Sequence, residues 1–277
     1  MLTGRRIAPL TAADVDSVHA LSRAVGWPHR RADIEIALDL GRPWGAFDEV
    51  GGRLIGTASW WPMGERAARV GLVIVDPAAQ GRGVGRALMD RVMADVERRA
   101  VALLATEPGR PLYESLGFER VGSSQRHVGD CRVEPTIDGA VGRLERSHTD
   151  EVIRLDARAL GAPRPAIVEH LVSVGDGVVL RADDAIVGYA VRRPFGTGHV
   201  IGPIVAGTED AATSLLLALA EPGMIRVDRP THADHLGTVL DRIGLRAEET
   251  SPIMTRGTWP GARSAVSTYA MASHAWG

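Results

Sequence analysis

The chain has 277 residues, 45% of them apolar and 24% charged, with a formal net charge of −2, a globular composition long enough for two ordinary domains. That balance excludes a global field favouring nucleic acid or an anionic membrane, and although arginine far outnumbers lysine the arginines form no basic run. A single cysteine, Cys131, excludes an internal disulfide framework and a cysteine zinc cluster, and the short apolar stretches predict neither a signal peptide nor a membrane span, so a cytoplasmic protein is expected.

In chain order, residues 6–9 read as a short strand. Thr11 offers an N-cap for a helix whose apolar stripe runs through Val15, Val18, Leu21 and Val25. A second helix is predicted over 31–40. Strands at 44–47 and 54–61 flank Glu49, Val50, Gly51 and Gly52, whose glycines suit a hairpin turn. Residues 70–75 are a run of β-branched and aliphatic residues, as in a buried strand, and Pro77 ends it. Helical spacing follows over 82–98, then a strand at 101–104, a short helix at 112–116 ended by Gly117, and a strand from Phe118. Residues 123–138 show no clear period and read as a last strand plus a linker. The second half predicts helices at 144–160 and 166–172, strands at 177–181, 185–192 and 199–205, a helix over 211–220, a strand at 225–227, a helix over 235–243 and a final strand at 267–270.

The halves repeat an order of elements. The strand at 70–75 with its following helix matches that at 200–205, and Tyr113 to Phe118 matches Leu240 to Leu245, at offsets of 130 and 127 residues. The expected architecture is therefore α/β with mixed sheets. It comprises two tandem domains, each a twisted, mostly antiparallel sheet flanked by helices. The first spans 1–130, a linker 131–140 and the second 141–277.

The chemistry is expected where the 70–75 strand runs through Asp76, Pro77 and Gln80 into Gly81, Arg82, Gly83, Val84, Gly85 and Arg86. A glycine-rich turn that opens a helix presents backbone N–H groups to an anion, with the helix dipole behind them. Glycines alone would also fit tight strand–helix packing, and a dinucleotide fingerprint requires G-x-G-x-x-G spacing. The spacing Gln80-x-x-Gly83-x-Gly85, with a proline three residues earlier, resembles the GNAT acyltransferase superfamily instead. Leu112-Tyr113-Glu114-Ser115-Leu116-Gly117-Phe118 resembles a downstream segment of the same superfamily. The resemblance spans about residues 6–127; the second half is similar, less specifically, to the C-terminal domain of two-domain bacterial members.

The resemblance implies an acetyl-CoA-dependent N-acetyltransferase acting on an amine of a small molecule or peptide by direct attack, without a metal. It implies that the pantetheine arm pairs with backbone at Val73, Ile74 and Val75 like an added strand. The pyrophosphate would lie on amides from Gly81 to Arg86, and the Val75 amide would polarise the thioester carbonyl. Tyr113 would protonate the leaving thiolate. Thr106 stands where many members carry asparagine and would hydrogen-bond the cofactor arm. Glu107 and Glu65 are candidate bases, each also readable as a solvated carboxylate. Trp60 and Trp61 suit either a substrate-pocket wall or interdomain packing. His148, His170, His232 and His235 lack metal-ligand spacing, and Cys131 reads as an inert thiol. An oligomer is possible but not indicated.

In the second half Asp210, Thr213 and Leu215 occupy the glutamine and glycine positions, Glu209 and Asp210 would repel phosphate, and Leu240 replaces Tyr113. One cofactor site is therefore expected, in the first half, with a degenerate second domain that shapes the pocket or supports the first. The rival readings are a non-catalytic acyl-CoA-binding module and another acyl-CoA reaction, such as O-acylation or decarboxylation.

Overall fold

The structure is a computed structural model that describes residues 5–48, 52–137, 139–261 and 265–277. The expected turn at Glu49, Val50 and Gly51 lies outside the described residues. The elements run β1 (Arg5–Pro9), α1 (Val15–Ala24), α2 (Arg31–Leu40), β2 (Arg42–Asp48), β3 (Leu54–Met63), β4 (Ala67–Val75), α3 (Val84–Val96), β5 (Ala100–Leu104), α4 (Arg110–Ser115) and β6 (Glu119–Cys131). The second half adds β7 (Val141–Arg143), α5 (Thr149–Leu160), α6 (Pro165–Val174), β8 (Asp176–Ala182), β9 (Ala185–Phe195), β10 (Gly198–Ala206), α7 (Glu209–Leu219), β11 (Gly223–Pro230), α8 (Asp234–Arg242), β12 (Arg246–Arg256) and β13 (Ser267–Ala270). Among the described residues no helix is long and apolar enough to cross a membrane.

Local chemistry sets the helix starts. Thr11 accepts from the Ala13 amide while its own N–H donates to Asp14, a reciprocal cap ahead of α1. The Arg30 amide likewise donates to Asp33 at the start of α2. The helix expected from residue 144 begins only at Thr149, because the Leu144 amide donates to the Gly177 carbonyl of β8 and Arg146–His148 form a 3₁₀ turn.

All strands join one sheet in the order β1-β2-β3-β4-β5-β12-β6-β11-β10-β9-β8-β7, with β13 on β10. Among the described residues only β4–β5 and β10–β11 are parallel; the other pairings are antiparallel. These two parallel pairs are the matching centres of the two halves. The last strands are exchanged: β12 of the second half lies between β5 and β6, and β6 of the first half pairs with β11.

Three apolar cores follow. On one face α1, α2, α5 and α6 share a core that runs across both halves, through Val18, Ile34, Trp61, Leu155, Leu171 and Tyr189. On the other face the cores are separate: Leu88, Val92 and Leu103 around α3, and Leu215, Leu236 and Leu240 around α7 and α8. The shared core and the exchanged strands fix the halves against each other, so a cleft can be built from both.

Candidate active site

β4 carries one residue more than β3 between the pairings Thr57 with Ile74 and Ser59 with Gly71. Leu72 absorbs it at φ 49°, a left-handed value unusual for a side-chain-bearing residue. Gly71 is small of necessity: a Cβ there would meet Ala275 at 3.1 Å and the Trp61 ring at 3.3 Å. β4 pairs with β5 only from Ala67–Ala100 to Val70–Leu103. Beyond Val70 the strands part, while β5 stays on β12 through Leu104 and Ile253. Among the described pairings, the β4 edge at Val73 to Val75 therefore has no strand on the β5 side. Ile74 points into the shared core, whereas Val73 and Val75 are half-buried.

The turn after β4 is shaped by its glycines. Gly81 and Gly83 hold φ of 71° and 77°, and a Cβ on Gly81 would find open space. Gly83 is the N-cap of α3 and offers no side-chain cap, so first-turn amides at Val84, Gly85 and Arg86 stay free for an anion. Gly85 packs instead, its missing Cβ 3.3 Å from Leu112. Gln80 donates to the Val75 carbonyl at 3.2 Å, tying the turn to the open edge. The Arg82 carbonyl accepts from Arg5, and Arg86 bonds Asp90 and Ser115 at the rim.

Across the opening, Thr106 and Tyr113 line a cavity of about 390 Å³ together with Leu72 and Val73. The Thr106 hydroxyl accepts from the Gly109 amide at 3.3 Å, starting α4. The Tyr113 ring meets Phe118 edge to face at 6.0 Å, and among the described residues its hydroxyl has no hydrogen-bond partner. Burial pushes that phenol well above the usual tyrosine range, so it keeps its proton. Glu107 is exposed, lies 3.4 Å from Arg110 and does not line this cavity; nor does Glu65. Trp60 and Trp61, adjacent on a strand, point to opposite faces. Trp60 packs by α3 and donates to Asp95, and Trp61 is fully buried and donates to the Ala37 carbonyl, so neither lines the cavity.

The far wall comes from elements that sequence reasoning did not join: Asp33 of α2, Arg126 of β6, Arg193 of β9, Arg226 and Asp228 of β11, Glu249 of β12 and His274 of the C-terminal segment. The local signal was a charged pair, Arg226 and Asp228, on one face of β11, alternating with Ile225 and Val227. Arg226 grips the buried Asp228 carboxylate with bonds of 2.7 to 3.0 Å, and His274 Nε2 lies 3.2 Å from it. Burial opposes ionisation of Asp228, but His274 and Arg226 outweigh it and hold the carboxyl far below its ordinary range. Burial likewise opposes Asp33, and hydrogen bonds from Arg30 overcome it.

His29 also lines this wall, its Nδ1 2.7 Å from Ser22 Oγ and its ring edge-on to Trp27 and Phe195. Burial pulls its imidazole down to about 4. The unfolded chain, near 6.5, then binds more protons between those values, so stability is full above pH 6.5 and is lost as pH falls towards 4, by about 2–3 kcal/mol. His127 and His170, lowered chiefly by burial, add losses of the same sign. A His29→Asn variant should therefore lose less stability than the parent between pH 7 and 5 in urea unfolding; equal losses would refute the assignment.

The second half shows what a closed counterpart looks like. β10 and β11 pair only at His199–Ile225 and Val200–Arg226 before parting, and β13 fills the gap against β10. The β10–α7 connection is only two residues, so the N-cap opposite Gly83 is Thr208 rather than the Thr213 suggested by sequence spacing. Thr208 accepts from the Ala211 amide, so the helix start caps itself. Beyond β13 the chain enters the first half's cavity through His274 and Trp276. Arg164 donates to the Trp276 and Gly277 carbonyls at 2.8 and 2.6 Å and is itself gripped by Asp156.

Residues 39–120 match a family model described as an acetyltransferase (GNAT) domain, and residues 152–269 match another with the same description. The chain is 27% identical over 248 residues to an uncharacterized N-acetyltransferase, YitH, of Bacillus subtilis, covering 87% of each protein. It is 35% identical over 133 residues to the N-alpha-acetyltransferase RimI of Mycobacterium tuberculosis, covering 44% of this chain and 82% of that one. In fold it is similar to a proposed acetyltransferase from Pyrococcus horikoshii, with a TM-score of 0.82 at 19% identity over 99% of this chain and 96% of the other.

Proposed function

This chain belongs to the GNAT acetyltransferase superfamily, with two GNAT domains in tandem, and from that premise we propose that it moves an acetyl group from acetyl-CoA to the amine of a small molecule. The observation that carries this reading is the open β4 edge beside a lined cavity, at the place where the second half is closed by its own β13. The donor fits the residues present: an unpaired strand edge for the amide-bearing arm, and uncapped amides with left-handed glycines for the pyrophosphate.

The reaction forms a bond between the amine nitrogen and the acetyl carbonyl carbon and breaks the carbon–sulfur bond. Val70, Gly71, Leu72 and Val73 are the β4 residues in the cavity wall, and the bulge lies between Gly71 and Ile74, so carbonyl polarisation falls to amides at this bulge rather than at Val75. The substrate ammonium must first lose a proton. His274 lines the cavity with Nε2 3.2 Å from the Asp228 carboxylate, which would stabilise the imidazolium formed on proton uptake and makes it a better-placed acceptor than Glu107. His29, held neutral far below neutrality, is too weak a base for the task. Tyr113, protonated beforehand, gives its proton to the departing sulfur, which leaves as a thiol, and the second amine proton returns to the Tyr113 oxygen.

Free thiol released from acetyl-CoA across a panel of amines tests this reading. Acceptor-dependent release is expected. CoA binding without thiol release from any acceptor would show a binding module instead.

A further inference from the structure

The acceptor end of the cavity has a definite charge inventory. Three carboxylates, Asp33, Asp228 and Glu249, face it, and each is already held by arginine. Arg30 forks onto Asp33, Arg226 onto Asp228, and Arg126 reaches Glu249 at 3.5 Å and Asp228 at 3.8 Å. Arg193 is left over. Its side chain is only 7% exposed, one terminal nitrogen donates to the Ala272 carbonyl at 3.1 Å, and the other stays 4.0 Å from Asp33. Its Nε is buried with no hydrogen-bond partner. Its guanidinium lies over the rings of Phe195 and Trp276, each at 5.3 Å, which fixes it in the cavity wall.

A buried cation with an idle donor is costly unless something answers it. Four arginines against three carboxylates leave one positive charge unmatched, which suits a monoanion. A phosphate dianion would overshoot it. The planar fork and the flanking rings suit a carboxylate. No carboxylate stands free to receive a second ammonium, which disfavours polyamines. The volume, shared with the acetyl end, lies at the small end of the range of about 300–1,000 Å³ for ligand pockets. We propose that the acceptor is a small amino acid-like molecule whose carboxylate docks on Arg193 while its amine faces Val73, Tyr113 and His274. Burial, which draws Arg193 down to about 10, is the cost that such a carboxylate would relieve. This assignment rests on the acetyltransferase reading above.

The test compares thiol release with single α-, β- and γ-amino acids and with their decarboxylated or amidated counterparts. At least one amino acid is expected to exceed its counterpart in kcat/KM by about 100-fold or more. Arg193→Met should erase that preference while CoA affinity holds. The wild-type comparison needs no variant, so a poorly folded Arg193→Met does not blunt it. Equal or faster turnover of the counterparts would overturn the carboxylate subsite and leave the acetyltransferase reading standing. No thiol release from either set, with CoA still bound, would overturn the amino acid assignment, and the wider amine panel then decides the acetyltransferase reading.

Discussion

Replacing Gly83 by glutamate is expected to weaken CoA binding at least about a hundredfold, with little effect on folding. Gly83 caps α3 at φ 77° and ψ 12°, where a Cβ costs about 1–2 kcal/mol. The turn is exposed, so that strain should subtract little more than itself from global stability. The larger effect is electrostatic. A carboxylate about 5 Å from one pyrophosphate charge is repelled by about 3 kcal/mol at an effective dielectric near 20, and the side chain also fills the space the phosphate needs. The matched control is Gly207→Glu in the two-residue turn of the second half. A Cβ there meets nothing within 4 Å and its φ is ordinary, so CoA affinity should not move. Calorimetric titration with CoA decides the matter. A change of less than tenfold for Gly83→Glu, or an equal loss for Gly207→Glu, would remove the assignment of one donor site to the first half.

That site was legible in sequence because its chemistry is local. Gln80, Gly81, Gly83 and Gly85 lie on one turn, and Tyr113 lies on the helix across the same opening, so two short segments carried the resemblance that implied their roles. The strands β3 and β4 were equally legible, β4 as a run of β-branched and aliphatic residues, except for the bulge at Leu72, which no residue type announces. The acceptor wall was not legible. Asp33, Arg126, Arg193, Arg226, Glu249 and His274 are scattered along most of the chain, and only the exchange of β6 and β12 brings them together. β12 itself was missed for a physical reason. Its first five residues are exposed, so Arg246 to Thr250 show no buried alternation, and Pro252 argues against a central strand. The strand is tolerated there because the Pro252 carbonyl still accepts from the Ala105 amide, and the ladder on β6 shifts register beside it. The tryptophan pair was read as a pocket wall or as interdomain packing, and only Trp61, in the core shared by both halves, matches the second. Two large neighbours suggest one wall, but strand geometry sends them to different cores.

The second half gains a role from this placement. Its own opening is occupied by β13, so it has no room for a pantetheine arm, and the segment beyond β13 supplies His274 and Trp276 to the first half. On the proposed function, the degenerate domain builds the acceptor side of a site whose donor side lies in the other domain. Changes in β9, β11 and the C-terminal segment should alter acceptor KM, whereas changes in the 81–86 turn should alter CoA affinity.

Tyr113→Phe is expected to lower kcat by about 10²–10⁴-fold, the usual range for a lost general acid, and to change CoA affinity less than threefold. Phenylalanine keeps what the ring does structurally. It preserves the edge contact with Phe118 and the close approach to Gly109, where a Cβ would stand 3.2 Å from the ring. Unfolding free energy should therefore stay within about 1 kcal/mol. What disappears is one hydroxyl on the cavity wall. Because burial raises the phenol above its ordinary value of 10, Tyr113 remains protonated wherever activity is measured. An alkaline decline in rate below pH 10 therefore cannot come from its ionisation. Parent and variant should show pH–rate profiles of the same shape, displaced vertically. The limb set by amine deprotonation should persist in both, since it belongs to the substrate and the group that accepts its proton. A variant within threefold of the parent in kcat would assign Tyr113 to packing alone. A variant that lost an alkaline limb present in the parent would contradict the burial argument.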